Sequence, residues 1–337
     1  MTTFTPALED LRALIDAELE RFLVLEGRAL PHGGPMIHEI ERMLAAGGKR
    51  LRPSFCYWGY RAAGGEHSAA IVTAASSLEL LHTFALVHDD IMDVSDERRG
   101  IPTTFAARGT EVALLVGDLA LVLADAALLG ADFPPDRLMT AFDAYSRMRQ
   151  EVIVGQYLDV EAEKQDTISV ADARRIAVLK SGRYSIQEPL VIGAALTGAP
   201  GSIVEGLARF GAPLGEAFQL RDDLLGTFGD RSSIGKPVDS DIREGKRHVL
   251  FAHTIEALDG DDLDFFTAKW GGSDSLTTAE VARLRDLIDS SGARATTEAL
   301  LGSLRQQAAE ALQVIPLAAS SRAALEELAR RSVDRLL

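Results

Sequence analysis

Residues 71–100 read IVTAASSLELLHTFALVHDDIMDVSDERRG, a long apolar segment that ends in an acidic cluster. Its apolar residues recur three and four positions apart, which predicts a buried α-helix. Asp89, Asp90 and Asp93 stand at the C-terminal end of this helix, where the helix dipole disfavours negative charge. Asp89 and Asp93 are about one turn apart on the same face. A divalent cation that prefers carboxylate and phosphate oxygens would explain their placement.

The same helical spacing runs through most of the chain. It is clearest in residues 111–129, 137–162, 171–180 and 203–225, which are rich in Ala, Leu and Glu. No run of alternating Val, Ile, Thr and aromatic residues stands between turn signals, so no sheet is predicted. Glycine pairs and a proline pair separate the helices, and Ser169 with Asp172 predicts an N-cap. We predict one all-α domain over residues 1–337.

Composition excludes several classes of protein. The chain carries 35 Lys and Arg against 50 Asp and Glu, a net charge of −15, which argues against a nucleic-acid partner. Cys56 is the single cysteine, which excludes an intramolecular disulfide and fits a reducing compartment. The apolar residues 112–129 include Asp118 and Asp125, so we expect a buried helix rather than a membrane span. Because the first residues also lack a signal-peptide pattern, we expect a cytoplasmic protein.

A second acidic cluster repeats the first. Residues 218–226 read FQLRDDLLG, so Asp222 and Asp223 stand near the end of another apolar helix. Gly226 takes the position one turn after Asp222, where the first cluster has Asp93. The following loop, residues 228–247, is rich in Gly and charged residues and could close over an anionic ligand. Its basic residues include Lys236, Lys246 and Arg247.

Cationic residues accompany the first cluster as well. Arg98 and Arg99 follow it within a turn, and their guanidinium groups suit phosphate. A Gly-Gly turn and a helix start, both favourable to an anion, flank three further cations, namely Lys49, Arg50 and Arg52. His82 lies two turns before Asp89 on nearly the same face. Each signal alone is weak, since a lone Lys is usually a surface residue and a lone His structural. Together they predict a site for a metal and a polyphosphate.

With these motifs the chain resembles the trans-isoprenyl diphosphate synthases of the polyprenyl synthetase family. Two aspartate-rich motifs carry the resemblance, Asp89-Asp90-Ile91-Met92-Asp93 and Asp222-Asp223-Leu224-Leu225-Gly226. The supporting motifs, in family order over roughly residues 30–260, are Gly48-Lys49-Arg50-Leu51-Arg52-Pro53, Gly155-Gln156, Lys180-Ser181, Phe218-Gln219 and Gly235-Lys236-Pro237. Two positions depart from the family pattern. Gly226 replaces the usual third aspartate of the second motif, and Ser181 replaces a threonine.

The resemblance implies a helical bundle around a deep central cavity, working as a homodimer. It implies up to three Mg²⁺ ions on an allylic diphosphate, held by Asp89, Asp93 and Asp222 with help from Asp90 and Asp223. The cations expected on that diphosphate are Arg98, Lys180, Lys236 and Lys246. Those expected on isopentenyl diphosphate are Lys49, Arg52, His82 and Arg99. Lys180, Ser181 and Gln219 are the expected catalytic residues, the last two as dipoles that stabilise an allylic cation.

Product length is expected to depend on the helix that carries Asp89. Phe84 stands five positions before Asp89, about 7.5 Å along the axis, and the small Ala85 follows it. In the family, one aromatic here with a small neighbour is similar to synthases that stop at geranylgeranyl diphosphate. Two adjacent aromatics go with farnesyl diphosphate. We therefore expect geranylgeranyl diphosphate from isopentenyl diphosphate and a dimethylallyl, geranyl or farnesyl starter, with farnesyl diphosphate as the alternative product.

Three other functions explain the sequence less well. A terpene cyclase would carry an Asn/Ser/Glu metal triad where this chain has Asp222 and Asp223. A weakly active subunit of a heteromeric synthase is suggested by Gly226, although nearly all other ligand positions are intact. A purely structural helical protein would not need acidic clusters at the ends of apolar helices.

Overall fold

A computed structural model describes residues 7–229, 239–272 and 275–333. The α-helices are α1 (Leu8–Ala29), α2 (Gly34–Ala45), α3 (Leu51–Ala62), α4 (Ala69–Met92), α5 (Thr104–Arg108), α6 (Thr110–Leu129), α7 (Pro135–Glu163), α8 (Val170–Ala177), α9 (Glu188–Ala195), α10 (Gly201–Phe228), α11 (Ser240–Glu244), α12 (Val249–Ala257), α13 (Gly260–Lys269), α14 (Thr278–Ser290), α15 (Ala293–Gln313) and α16 (Ala319–Val333). A π-helix (Val178–Gln187) joins α8 to α9, and β1 (Glu97–Arg98) pairs antiparallel with β2 (Ile101–Pro102). The predicted all-α class is confirmed.

The helix boundaries coincide with the glycine, proline and N-cap residues of the sequence. Helix α2 ends just before the glycine pair at 47–48, and α7 begins at the proline pair. Ser169 caps α8 as predicted, because its hydroxyl oxygen accepts from the Asp172 N–H at 3.1 Å. The helix predicted to end near Lys180 instead continues as the π-helix, which apolar spacing alone does not distinguish from an α-helix.

The chain divides into two compact units. Unit 1 comprises Met1–Tyr145, Pro189–Glu205 and Pro316–Leu328, and in it α4 packs against α3 and α6. Unit 2 comprises Ser146–Glu188, Gly206–Ile315 and Ala329–Leu337, and in it α12 packs against α8 and α15. A cavity of about 480 Å³ in unit 1 is lined by α1, α2 and the turn at residues 47–50. The single domain and the deep central cavity stay predictions.

Two helices of unit 1, α4 and α6, are long and apolar enough to span a membrane by length and composition. They pack against each other, and 67% of the apolar window of α4 and 44% of that of α6 are buried inside the protein. Helix α6 buries one side, including Val116 and Ala120, and exposes Leu115 and Val122 on the other. The predicted buried helix at residues 112–129 is therefore buried on one side only.

Candidate active site

The first acidic cluster lies at the C-terminal end of α4, where the sequence predicts it. Asp89 and Asp90 belong to the last turn, and Asp93 is the C-cap residue. The Asp93 N–H still donates to the Asp89 carbonyl oxygen at 2.8 Å, so the chain stays helical through the cluster. Asp90 is fully buried, whereas Asp89 and Asp93 are partly exposed. The two partly exposed carboxylates are thus the ones that a ligand could reach.

Arg98 binds this cluster directly. Its Nε donates to Asp90 Oδ1 at 2.7 Å, and its NH2 lies 3.5 Å from Asp89 Oδ2. A tight turn between β1 and β2 returns the chain at Arg99 (φ 54°) and Gly100 (φ 78°). The guanidinium therefore neutralises the buried Asp90 in this structure. Its contact with a diphosphate stays a prediction.

Three residues expected on isopentenyl diphosphate lie close together in unit 1. Burial, together with the positive charges of Arg52 and Arg99, lowers the pKa of His82 well below its usual range. His82 is therefore neutral at pH 7 and can donate or accept a single hydrogen bond at each ring nitrogen. Arg99 also donates to the Gly47 carbonyl oxygen, which ties it to the basic turn. Lys49, in that turn, has an exposed side chain.

Arg50, the middle cation of the basic turn, has a structural part in the fold. It is only 4% exposed, and its backbone is left-handed with φ 49°. Its Nε donates to Asp16 Oδ1 at 2.7 Å, and its NH1 donates to Glu79 Oε1 at 2.6 Å. Its NH2 donates to the Leu44 carbonyl oxygen at 2.8 Å. These contacts tie the turn to α1, α2 and α4, and the other two cations of the turn remain the candidates for an anion.

In unit 2, carboxylates of α7 hold two lysines expected on the allylic diphosphate. Lys180 Nζ donates to Asp159 Oδ2 at 2.5 Å, and Lys246 Nζ donates to Glu163 Oε1 at 2.8 Å. Asp159 and Glu163 are about one turn apart on α7. Gly155 allows the π-helix to approach, because a Cβ at this position would lie 2.7 Å from Lys180 Cα. The π-helix is rare and is frequently found at functional sites, mostly as a single turn within an α-helix.

The second acidic cluster lies on α10. Asp222 is partly exposed, and Asp223 is buried. Gln219 Nε2 donates to Asp223 Oδ1 at 2.7 Å, while Asp223 Oδ2 is buried with no hydrogen-bond partner among the residues described. Burial, and then the negative charge of Asp241, raise the pKa of Asp223 well above its usual range. A buried carboxylate oxygen without a donor fits a site that takes up a cation.

The donor set of the two clusters fits Mg²⁺. Over the described ranges, no three His, Cys, Asp or Glu side chains converge as a ready-made metal site. Mg²⁺ does not need one, because it usually binds one or two carboxylates together with substrate phosphates and retained waters. Each cluster offers such a partial carboxylate site.

Phe84 and Ala85, the residues expected to set product length, belong to α4. Phe84 is partly exposed and packs edge-on against His88, with ring centroids 4.8 Å apart. His88 Nε2 in turn lies 3.1 Å from the Leu114 carbonyl oxygen of α6. Ala85 is partly exposed, and Leu81, one turn deeper, is buried.

The model of the polyprenyl synthetase family matches residues 35–288, well over half of the chain. The chain belongs to the polyprenyl synthetase family. The family predicted from the aspartate-rich motifs is confirmed.

Two curated relatives have different products. This polyprenyl synthetase is 37% identical over 264 residues to the geranylgeranyl diphosphate synthase of Sulfolobus acidocaldarius, covering 75% of this chain and 77% of the relative. It is 35% identical over 292 residues to the (2E,6E)-farnesyl diphosphate synthase of Mycobacterium bovis, covering 86% of this chain and 80% of the relative. It is therefore a short-chain prenyltransferase.

A solved structure confirms the all-α fold over nearly all of this chain. The geranylgeranyl pyrophosphate synthase of Corynebacterium glutamicum, complexed with isoprenyl diphosphate and magnesium, superposes with a TM-score of 0.94 at 32% identity. The match covers 98% of this chain and 100% of that one. This polyprenyl synthetase thus has the all-α fold of the isoprenoid synthases.

Several residues of the site were missed or lie outside the described residues. Asp159 and Glu163 were missed, although Asp159 stands just after the Gly155-Gln156 motif, which was a usable signal. Asp241 was missed because only packing brings it to α10. Lys236, with its neighbours Gly235 and Pro237, lies outside the described residues. Ser181 is buried beside Lys180 in the π-helix, and its role stays a prediction.

Proposed function

We propose that this polyprenyl synthetase condenses isopentenyl diphosphate with an allylic diphosphate and that its main product is geranylgeranyl diphosphate. The observation that carries the product assignment is the position of Phe84 on α4, about 7.5 Å along the axis from Asp89. Ala85 beside it is small, and Leu81 below it is buried. Farnesyl diphosphate is the second candidate, because the Mycobacterium bovis relative matches almost as well as the Sulfolobus one.

The allylic diphosphate would bind at the acidic clusters through up to three Mg²⁺ ions. The carboxylates proposed to hold them are Asp89, Asp93 and Asp222, supported by Asp90 and Asp223. When bound, the metal supplies positive charge that stabilises the diphosphate as the allylic C–O bond breaks. Lys180 and Lys246 would add charge to the same group, and Lys236 and Arg98 are proposed to do so as well.

The reaction needs no nucleophilic side chain. As the C–O bond breaks, the double bond of isopentenyl diphosphate attacks the allylic carbon and forms the new C–C bond. A proton then leaves, and the released diphosphate is the base that accepts it. Lys49, Arg52, neutral His82 and Arg99 would hold isopentenyl diphosphate. Ser181 and Gln219 would orient dipoles toward the allylic cation without reacting with it.

We also propose a cytoplasmic homodimer without a membrane span. The exposed side of α6 carries Leu115, Val122 and Leu129 at heptad spacing, an apolar stripe suited to a second copy of the chain. The buried side of α6 packs on α4, which favours two core helices over two membrane spans. The acidic charge and the single buried Cys56 fit the cytoplasm.

A product-length assay tests the proposal. The purified protein is incubated with Mg²⁺, isopentenyl diphosphate and each of the three starters, and the dephosphorylated products are separated by chromatography. We expect geranylgeraniol from every starter, no product in excess EDTA, and elution at the mass of a dimer. Farnesol alone would support the second candidate, and a cyclic hydrocarbon would indicate a terpene cyclase. Inactivity that is relieved by a second, different subunit would indicate a heteromeric synthase.

A further inference from the structure

Gly226 and Asp241 occupy one space in unit 2. Gly226 is a buried residue of α10, one turn after Asp222, where the second motif usually has its third aspartate. A Cβ at Gly226 would lie 2.6 Å from Asp241 Cγ and 3.0 Å from Asp241 Oδ1, and closer still to Oδ2. The carboxylate of Asp241 therefore fills the volume that any side chain at position 226 would need.

Asp241 enters this volume from α11. Its carboxylate lies 3.4 Å from Ser240 Oγ and 4.0 Å from His248 Nε2. Within the part of the chain that the structure describes, no Lys or Arg side chain forms an ion pair with this carboxylate. The negative charge of Asp241 also acts on Asp223, whose Oδ2 is buried with no hydrogen-bond partner among the described residues. Carboxylates gathered in this way repel one another, and either a proton on one of them or a cation between them relieves the repulsion.

We propose that Asp241 supplies, from α11, the third carboxylate of the second acidic cluster and that Gly226 is the residue that makes room for it. The inference rests on the proposed function, because the ligand it assigns to this cluster is a magnesium diphosphate. On this basis the glycine leaves the space that the Asp241 carboxylate occupies. A side chain at position 226 would displace that carboxylate from its present position.

Four variants and a control test the pairing. Gly226→Ala places a methyl group against the Asp241 carboxylate, and Asp241→Asn removes the charge at nearly constant shape. Asp241→Ala empties the space, and the double variant Gly226→Asp/Asp241→Ala returns a carboxylate to it from α10. Gly302→Ala is the control, because a Cβ at this helical glycine of α15 would meet nothing within 4 Å.

The readout is the affinity for inorganic diphosphate, measured by isothermal titration calorimetry with and without Mg²⁺, alongside product formation. We expect Gly226→Ala, Asp241→Asn and Asp241→Ala each to weaken the Mg²⁺-dependent affinity by at least about tenfold, roughly the effect of one lost charge-assisted contact. The double variant should bind more tightly than Asp241→Ala alone, since coupled positions are not additive. Gly302→Ala should match the wild type.

Wild-type affinity in Asp241→Asn, which keeps the shape of the side chain, would overturn the inference even if Gly226→Ala failed to fold. A double variant no tighter than Asp241→Ala would also overturn it, because the two positions would then not be equivalent. The proposed function fails separately: a wild type that makes no product with any starter refutes the synthase, whatever the variants bind. If Asp241→Asn still weakens Mg²⁺-dependent diphosphate binding in that case, the pairing is supported.

Discussion

Replacing Phe84 by Ala should lengthen the prenyl product by about one isoprene unit. The Phe84 ring packs against His88 at 4.8 Å, and His88 is tied to α6 through the Leu114 carbonyl oxygen. Away from Asp89, the next apolar side chain below Phe84 is the buried Leu81, three residues and about 4.5 Å deeper along the helix. That depth is comparable to one extended isoprene unit. A floor that moves from Phe84 to Leu81 should therefore admit one further condensation.

The same geometry gives a second step. Leu78 lies six residues below Phe84, about 9 Å along the axis, and is fully buried. The double variant Phe84→Ala/Leu81→Ala should therefore lengthen the product by about two units. A graded response of this kind distinguishes a cavity floor from a general loosening of the core.

Chromatography of the dephosphorylated products measures both steps. Phe265→Ala is a matched control, since Phe265 is also a partly exposed aromatic but lies on α13 in unit 2, beneath Arg283. It should leave product length unchanged. If Phe84→Ala keeps the wild-type distribution at a normal rate, Phe84 is not the floor and the chain-length assignment is refuted.

Three further predictions concern the metal, the cysteine and the basic turn. Asp89→Ala and Asp222→Ala should each lower kcat by about 10²–10³-fold with an unchanged circular dichroism spectrum, because charge stabilisation of the leaving group is lost; full activity in either variant would contradict this. Cys56 is fully buried and burial raises its pKa to about 12, so iodoacetamide at pH 8 should label it only after unfolding, as seen by mass spectrometry. Rapid labelling of the native protein would be the contrary result. Arg50→Met should lower the free energy of unfolding in urea by about 3–5 kcal/mol, because Glu79 would be left buried without its partner. A loss under about 1 kcal/mol would show that this ion pair stabilises the fold no more than a solvent-exposed ion pair does.

Helices and acidic clusters could be predicted because both are properties of local sequence. Apolar spacing placed α4 and α10, and the adjacent aspartates at their ends were visible without any tertiary information. The partners of the cations could not be predicted in this way. Arg50 and Arg52 stand two positions apart in one turn, yet only packing against Glu79 and Asp16 shows that Arg50 points into the protein. The π-helix could not be predicted for a related reason, because i→i+5 hydrogen bonding does not clearly change the spacing of apolar residues in the sequence.

Asp159 holds Lys180, and Glu163 holds Lys246. Under the proposed function, a diphosphate at these lysines would exchange one anionic partner for another, so each ammonium group would lose little additional rotamer freedom. The displaced carboxylates stay nearby and repel a bare diphosphate, while they attract one that carries cations. Affinity at these lysines should therefore respond more steeply to the concentration of divalent metal than to the monovalent salt that screens exposed charges.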